Sequence, residues 1–371
     1  MNIPFFQPYY GAEEIAYLQN ALLCGMDYTE EVKRRLCKAY GPHLFLTSSA
    51  SAAFDLLFAA LAWERGGEVI LPSFTYPSVA NTLLRFGLKP VFAEIDEHTK
   101  ALDAEHALNL ITPRTRAVIP THYGAASADL IELKQRLHGI LLIEDAALSF
   151  GGQYRGRTLG TVGDMGVVSF HRTKNVSAVE GGMLVLEEKH AALAETLQTL
   201  YDNGTDRAAF LKGEVGAYTW QAAGMNVGMP ISHAAVLLAQ LEKAREIQNK
   251  HETLYRRYLD NLAGPSKQYG FALPFVPAYN GNNYELFYIL FSGEATRERV
   301  RKHLQNAGIG TAFHYMPLHA SAMGRRLGYA PGDLPVTQSV SARLLRLPLF
   351  ADMTMEQCDA VSEAVLGALC S

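Results

Sequence analysis

The chain has 371 residues, of which 49% are apolar and 19% charged, and a formal net charge of −4. That size and balance predict a globular protein with a large core in two lobes, and the acidic total argues against a general nucleic-acid binder. Cys24, Cys37, Cys358 and Cys370 are scattered with no CxxC pair, which speaks against a disulfide framework or a cysteine zinc site.

The first residues, Met1-Asn2-Ile3-Pro4-Phe5-Phe6, lack the basic start and long apolar core of a signal peptide, and no run reaches membrane-spanning length. A cytoplasmic protein with no membrane partner is therefore expected. From about residue 44 to 186, short apolar runs alternate with helical patterns in the βα rhythm of a mostly parallel sheet. The strands expected are Leu44-Leu46, Glu68-Leu71, Pro90-Ile95, Ala117-Pro120, Ile140-Ile143, Val167-Phe170 and Met183-Leu186. Polar residues gather just beyond them, where ligands bind in open α/β sheets. Ser232 to Leu262 carries apolar residues at helical spacing and predicts one long helix joining the lobes. After Gly264-Pro265 come an expected strand (Glu285-Phe291), helix (Thr296-Ala307), strand (Gly310-His314) and helices near Thr337-Leu345 and Thr354-Leu369, a smaller α+β domain. The expected division is 1–240 and 241–371.

Four strand exits carry chemistry. Thr47-Ser48-Ser49-Ala50-Ser51 passes from a strand into a helix and leaves free backbone N–H groups, a ready phosphate cradle, although simple N-capping by Ser48 or Ser49 explains the hydroxyls equally well. Pro72-Ser73-Phe74-Thr75-Tyr76 offers Tyr76 as an aromatic cover for a flat heterocycle and Phe74 as a core residue. Ile140-Ile143 ends in Glu144-Asp145, and the strand before Ser169-Phe170 leads to Lys174 on a short polar loop. Alone, Lys174 reads as a solvated lysine and Asp145 as a helix cap. Together they suggest a pyridoxal phosphate (PLP) site, because that cofactor needs a lysine to carry it and a buried carboxylate to keep its ring nitrogen protonated. GxGxxG and GxxxxGK[ST] are absent, and His251-Glu252-Thr253-Leu254-Tyr255 only begins like HExxH and reads as an exposed helical turn.

These residues, with Glu180-Gly181-Gly182, Gly224-Met225-Asn226, His314-Tyr315-Met316-Pro317-Leu318-His319 and Leu344-Leu345-Arg346-Leu347-Pro348-Leu349-Phe350, resemble the DegT/DnrJ/StrS sugar aminotransferases over essentially the whole chain. The resemblance implies the fold-type I PLP-dependent transferase fold, with a mostly parallel seven-stranded sheet flanked by helices and a smaller α+β domain. Asn203-Gly204-Thr205-Asp206-Arg207, Lys212-Gly213 and Tyr218-Thr219-Trp220 are similar to the dTDP-4-amino-4,6-dideoxygalactose transaminases of surface-polysaccharide (O-antigen) synthesis. It implies Lys174 as the cofactor lysine, Asp145 at the ring nitrogen, Tyr76 on the ring face, and Ser49, Ala50, Ser51 and Ser169 at the phosphate. Asn226 would reach the cofactor of the neighbouring subunit in a homodimer with shared sites, while His314, Tyr315 and His319 would face the sugar. Arg207, Lys212 or Arg325 would meet the nucleotide's diphosphate.

The implied reaction takes the amino group of L-glutamate, releases 2-oxoglutarate and leaves the cofactor as pyridoxamine phosphate (PMP). The acceptor would be dTDP-4-keto-6-deoxyglucose. A 3-keto acceptor or a UDP- or GDP-sugar stays open, and a non-catalytic PLP-fold scaffold is the alternative of another class. A PMP-dependent dehydratase typically carries histidine where Lys174 stands. Three departures from the pattern are Leu148, where Gln or His is common three residues after the aspartate, Val227-Gly228-Met229, which lacks the arginine that often follows Asn226, and Cys24-Gly25-Met26-Asp27-Tyr28-Thr29, which is shorter than the glycine-containing loop usual near the active site.

Overall fold

Short, mostly apolar runs of four or five residues, buried almost throughout, build the central sheet. The computed structural model describes residues 2–370. The strands are β1 (Leu44–Thr47), β2 (Glu68–Pro72), β3 (Lys89–Ala93), β4 (Thr115–Val118), β5 (Leu141–Asp145), β6 (Met165–Ser169) and β7 (Gly182–Leu186). They are ordered β1-β7-β6-β5-β4-β2-β3, and β7 alone runs against the rest. All seven expected strands are present, with ends shifted by one or two residues.

Successive residues of these strands feed opposite layers. Val69, Leu71, Ala117 and Ile143 pack under one set of helices, while Ile70, Val118 and Leu142 face another. The N-terminal helices α1 (Ala12–Cys24) and α2 (Thr29–Tyr40) flank the sheet, and α3 (Ala50–Leu61) follows β1 directly.

The expected single helix over 232–262 is two helices, α4 (Ile231–Glu242) and α5 (Ala244–Tyr269), separated at Lys243, whose φ of −104° and ψ of 11° leave the helical range. Gly264-Pro265 does not end α5. The proline removes one bond, to the carbonyl of residue 261, and the chain turns only at Gly270 in the left-handed conformation (φ 67°). The C-terminal part pairs β8 (Phe287–Leu290) with β9 (Leu344–Leu347), covered by α6 (Glu294–Asn306), α7 (Pro335–Arg343) and α8 (Met355–Cys370). Here β9 takes residues expected to finish a helix, because Leu344-Leu345-Arg346-Leu347 pairs across the small sheet before Pro348. The expected strand Gly310-His314 is reduced to single bridges, Ile3 to Ile309 and Ala312 to Arg346. Leu254, Tyr258 and Leu262 of α5 lie on one stripe and bury against Phe287, Ile289 and Val361, with Ile3 inserted into the same core. No helix among the described residues is long and apolar enough to cross a membrane.

Candidate active site

The carboxyl ends of β2, β4, β5 and β6 open into a cavity of about 500 Å³. Its floor is Asp145, the last residue of β5, which is buried and receives hydrogen bonds from Thr121 Oγ1 and the Ala147 N–H, each at 3.2 Å. Burial raises the Asp145 pKa above the usual carboxylate value, partly offset by those bonds and by the charges of His122 and Lys174. Such a carboxylate is under-supplied with positive charge. Behind it, Glu144 and His122 are fully buried and paired at 2.8 Å, and Glu144 also accepts from the N–H groups of Gly160, Val162 and Gly163 at 2.6–2.8 Å. Burial alone would raise Glu144, but these bonds outweigh it and hold its pKa low. The pair fixes the loop beside β5, and the His122 N–H donates to the Asp145 carbonyl at 3.1 Å.

Lys174 enters the same cavity from a tight loop closed by Lys174 N–H to His171 O (2.9 Å) and Arg172 N–H to Val179 O (2.7 Å). Its ammonium is disfavoured by burial and by Arg346, with Glu285 and Asp145 pulling the other way, and the net effect lowers its pKa. Glu285, just before β8, accepts from the Asn175 N–H at 3.2 Å, and burial pushes its carboxyl up to about 7. Across the cavity, α3 begins with Ser49 as its cap, whose Oγ accepts from the Ala52 N–H at 3.1 Å. Ala50 and Ser51 open this helix, where backbone N–H groups have no intrahelical acceptor. Gly182 of β7 runs directly beneath this turn, and a Cβ there would collide with Ala50 N and the Ser49 carbonyl. Ser169 ends β6 at the same wall, and Tyr76 stands exposed at the rim.

The cavity thus gathers Ser49, Ala50, Ser51, Tyr76, Asp145, Ser169 and Lys174, together with His314 and Tyr315 from the C-terminal part. Other expected residues lie elsewhere. His319 does not line it: the ring is buried, its Nδ1 bonds Ser73 Oγ at 2.7 Å, and the turn after Pro317 carries it beneath the exit of β2. Arg207 and Lys212 lie exposed on and after the short helix Arg207–Leu211, with Lys212 at a separate depression beside Lys33 and His43. Arg325 is exposed and donates to the Ala320 carbonyl at 2.8 Å. Asn226 is exposed and outside this subunit's cavity. His251 is buried rather than exposed, bonded to the Tyr284 carbonyl at 3.2 Å, and burial lowers its pKa to about 4. Phe74 is in the core as expected, against Tyr123 and Tyr315. Leu148 gives the cavity an apolar wall backed by Phe74, Tyr123 and Leu286.

Among the lining residues that had no role in the sequence reading are Thr121, Glu285 and Arg346. The last two had a signal, since each is a lone charge in an apolar run, Glu285 ahead of Leu286-Phe287-Tyr288-Ile289 and Arg346 within Leu344-Leu345-Arg346-Leu347.

A buried, charge-deficient carboxylate, a half-buried lysine and an open helix start form a set that fits PLP. The DegT/DnrJ/EryC1/StrS aminotransferase family matches residues 12–366. The chain belongs to that family. Its members are sugar aminotransferases, and their cofactor is PLP. Among solved structures, the aminotransferase TlmJ from Streptoalloteichus hindustanus is 26% identical, with a TM-score of 0.90 over 100% of this chain and 99% of that one. DesV from S. venezuelae is 29% identical, with a TM-score of 0.86 over 96% and 94%. The sugar aminotransferase CalS13 from Micromonospora echinospora, at 22% identity and a TM-score of 0.87 over 98% and 99%, shares the fold.

Proposed function

We propose that this sugar aminotransferase moves an amino group from L-glutamate to dTDP-4-keto-6-deoxyglucose, giving a dTDP-4-amino-4,6-dideoxyhexose of galactose configuration for surface polysaccharide. It works in the cytoplasm as a homodimer with shared sites, each subunit pairing a large domain (1–240) with a small one (241–371). The observation that carries the chemistry is Lys174 and Asp145 meeting in one cavity with the open start of α3. The likeness of 203–220 to the 4-amino-4,6-dideoxygalactose enzymes supports the sugar.

Bound PLP supplies the electron sink that lets a proton leave carbon next to nitrogen. Ser49 to Ser51 and Ser169 would hold its phosphate, Tyr76 would cover its face, and Asp145 would pair with its cationic ring N–H, a charge-assisted bond that would also remove the penalty of an uncompensated carboxylate. Lys174 Nζ, whose lowered pKa frees a lone pair more readily than a surface lysine, takes the proton from the donor's α-carbon and delivers one to C4 of the sugar. His314 and Tyr315 bound the acceptor side, and Asn226 reaches the neighbouring subunit's site. The test is NMR of the product formed from L-glutamate and dTDP-4-keto-6-deoxyglucose. An amine at C4 with galactose-type coupling between H3 and H4 is expected; an amine at C3, or no product, contradicts the proposal.

A further inference from the structure

An amino donor arrives as an ammonium ion, so the lysine it displaces inherits a proton, yet that lysine can take the α-proton only as a neutral amine. The inherited proton has to pass to a neighbour. A fitting neighbour holds a proton near neutral pH and does not lock Lys174 in an ion pair. Three carboxylates line the cavity. Asp145 belongs to the cofactor ring, and Glu180 is exposed at the rim, 3.3 Å from His171. Glu285 is the third.

Glu285 stands where a second space, a cavity of about 40 Å³ behind the Lys174 loop, meets the main one, and Lys174 lines both. Ser177, Gln240 and His251 edge the smaller cavity, which is polar and roomy enough for water to relay a proton. One oxygen of Glu285 accepts from the N–H of Asn175, the residue after Lys174, at 3.2 Å. Among the described residues no other donor bonds it and no cation lies within ion-pair distance. The remaining titratable groups around it take no part in an exchange near neutral pH. Burial lowers His251 on α5 to about 4 and also keeps His314 neutral. The phenols of Tyr123, Tyr255, Tyr288 and Tyr315 are all raised by burial, and Tyr9 turns its hydroxyl to Glu246 at 2.6 Å. Arginines such as Arg172 and Arg346 give up no proton. Lys174 is left as the partner. Burial pushes Glu285 up to about 7 and Lys174 down, so the two approach one another and can trade a proton at small cost.

We propose that Glu285 is the proton store of Lys174. When the donor displaces the lysine, an N–H bond of the Lys174 ammonium breaks and an O–H bond forms on the ionised Glu285 carboxylate, and the proton returns the same way as the lysine is recaptured. Glu285 acts through Lys174 and is in that sense a positioning residue. The proposal rests on the aminotransferase reading above. Its test follows the glutamate half-reaction by absorbance across neutral pH in PLP-loaded wild type, Glu285→Gln and Glu285→Asp. The wild-type rate should fall as pH drops through about 7, where Glu285 already holds a proton and can take no other. Glu285→Gln should run about 100-fold slower above that pH and show no such fall, the two profiles meeting in acid, while Glu285→Asp keeps the fall and part of the rate. A purely structural carboxyl would lower the whole profile and leave its shape. Independently of turnover, infrared titration of cofactor-free protein labelled at its glutamate carboxyls should show one that ionises at about 7, and at higher pH in Lys174→Ala, where the ammonium that opposes its protonation is gone. The proposal is overturned if Glu285→Gln keeps the wild-type profile, or if the carboxyl ionises at the same pH with and without Lys174. Should Glu285→Gln fail to fold, the infrared comparison still decides. If the wild type never shows the band of the lysine-bound cofactor, the Lys174 assignment fails and this proposal with it.

Discussion

Glu285 is a lining carboxylate of the cavity whose ionisation folding displaces far from its ordinary range. In the unfolded chain its carboxyl titrates near 4.5, and in the folded protein burial brings it to about 7. Between those values the native state keeps a proton the unfolded chain has released, so Glu285 costs stability increasingly as pH rises from 4.5 through 7. Glu285→Gln removes the titration and keeps the shape. In urea unfolding of cofactor-free protein, the variant should gain on the wild type between pH 4.5 and 8, by at most about 3 kcal/mol. A stability difference that does not change with pH contradicts this.

At the scale of elements, the site depends on β7 running close beneath the first turn of α3. Gly182→Ala inserts a methyl group against Ala50 N and the Ser49 carbonyl, which cannot yield without shifting the helix start. We expect a destabilisation of about 1–3 kcal/mol and clearly weaker PLP binding, measured by urea unfolding and cofactor titration. Gly264→Ala, in open space within α5, should be neutral or slightly stabilising, and equal effects of the two would contradict the account. The same elements show what could be read in advance. The seven strands were legible because buried parallel strands are apolar runs bounded by polar exits, and Asp145 and Lys174 were legible because both sit at such exits. The break at Lys243 was not, because the apolar stripe continues on either side of it. Nor was the switch from α7 to β9, since an apolar stretch as short as Leu344–Leu347 is set by the strand it pairs with rather than by its own pattern. That His319, Arg207 and Lys212 lie outside this subunit's cavity was not legible for a related reason: proximity in a motif does not say which way a turn sends the chain.

At the scale of the molecule, Asn226 lies outside its own subunit's cavity, so its proposed role requires a second copy. Mixing Lys174→Ala subunits with Asn226→Ala subunits should restore activity, because each mixed dimer holds one site with both residues intact. Statistical mixing gives about a quarter of the wild-type rate, and no recovery above the separate variants contradicts shared sites. The central claim is that Lys174 and Asp145 make this cavity an aminotransferase site for a 4-keto sugar. Its most direct test is the absorbance of the PLP-loaded protein as L-glutamate and then dTDP-4-keto-6-deoxyglucose are added. The account predicts that the band of the lysine-bound cofactor disappears with glutamate and returns with the sugar, and that Lys174→Ala never shows it. A band that glutamate does not change, or that forms equally without Lys174, would contradict the account.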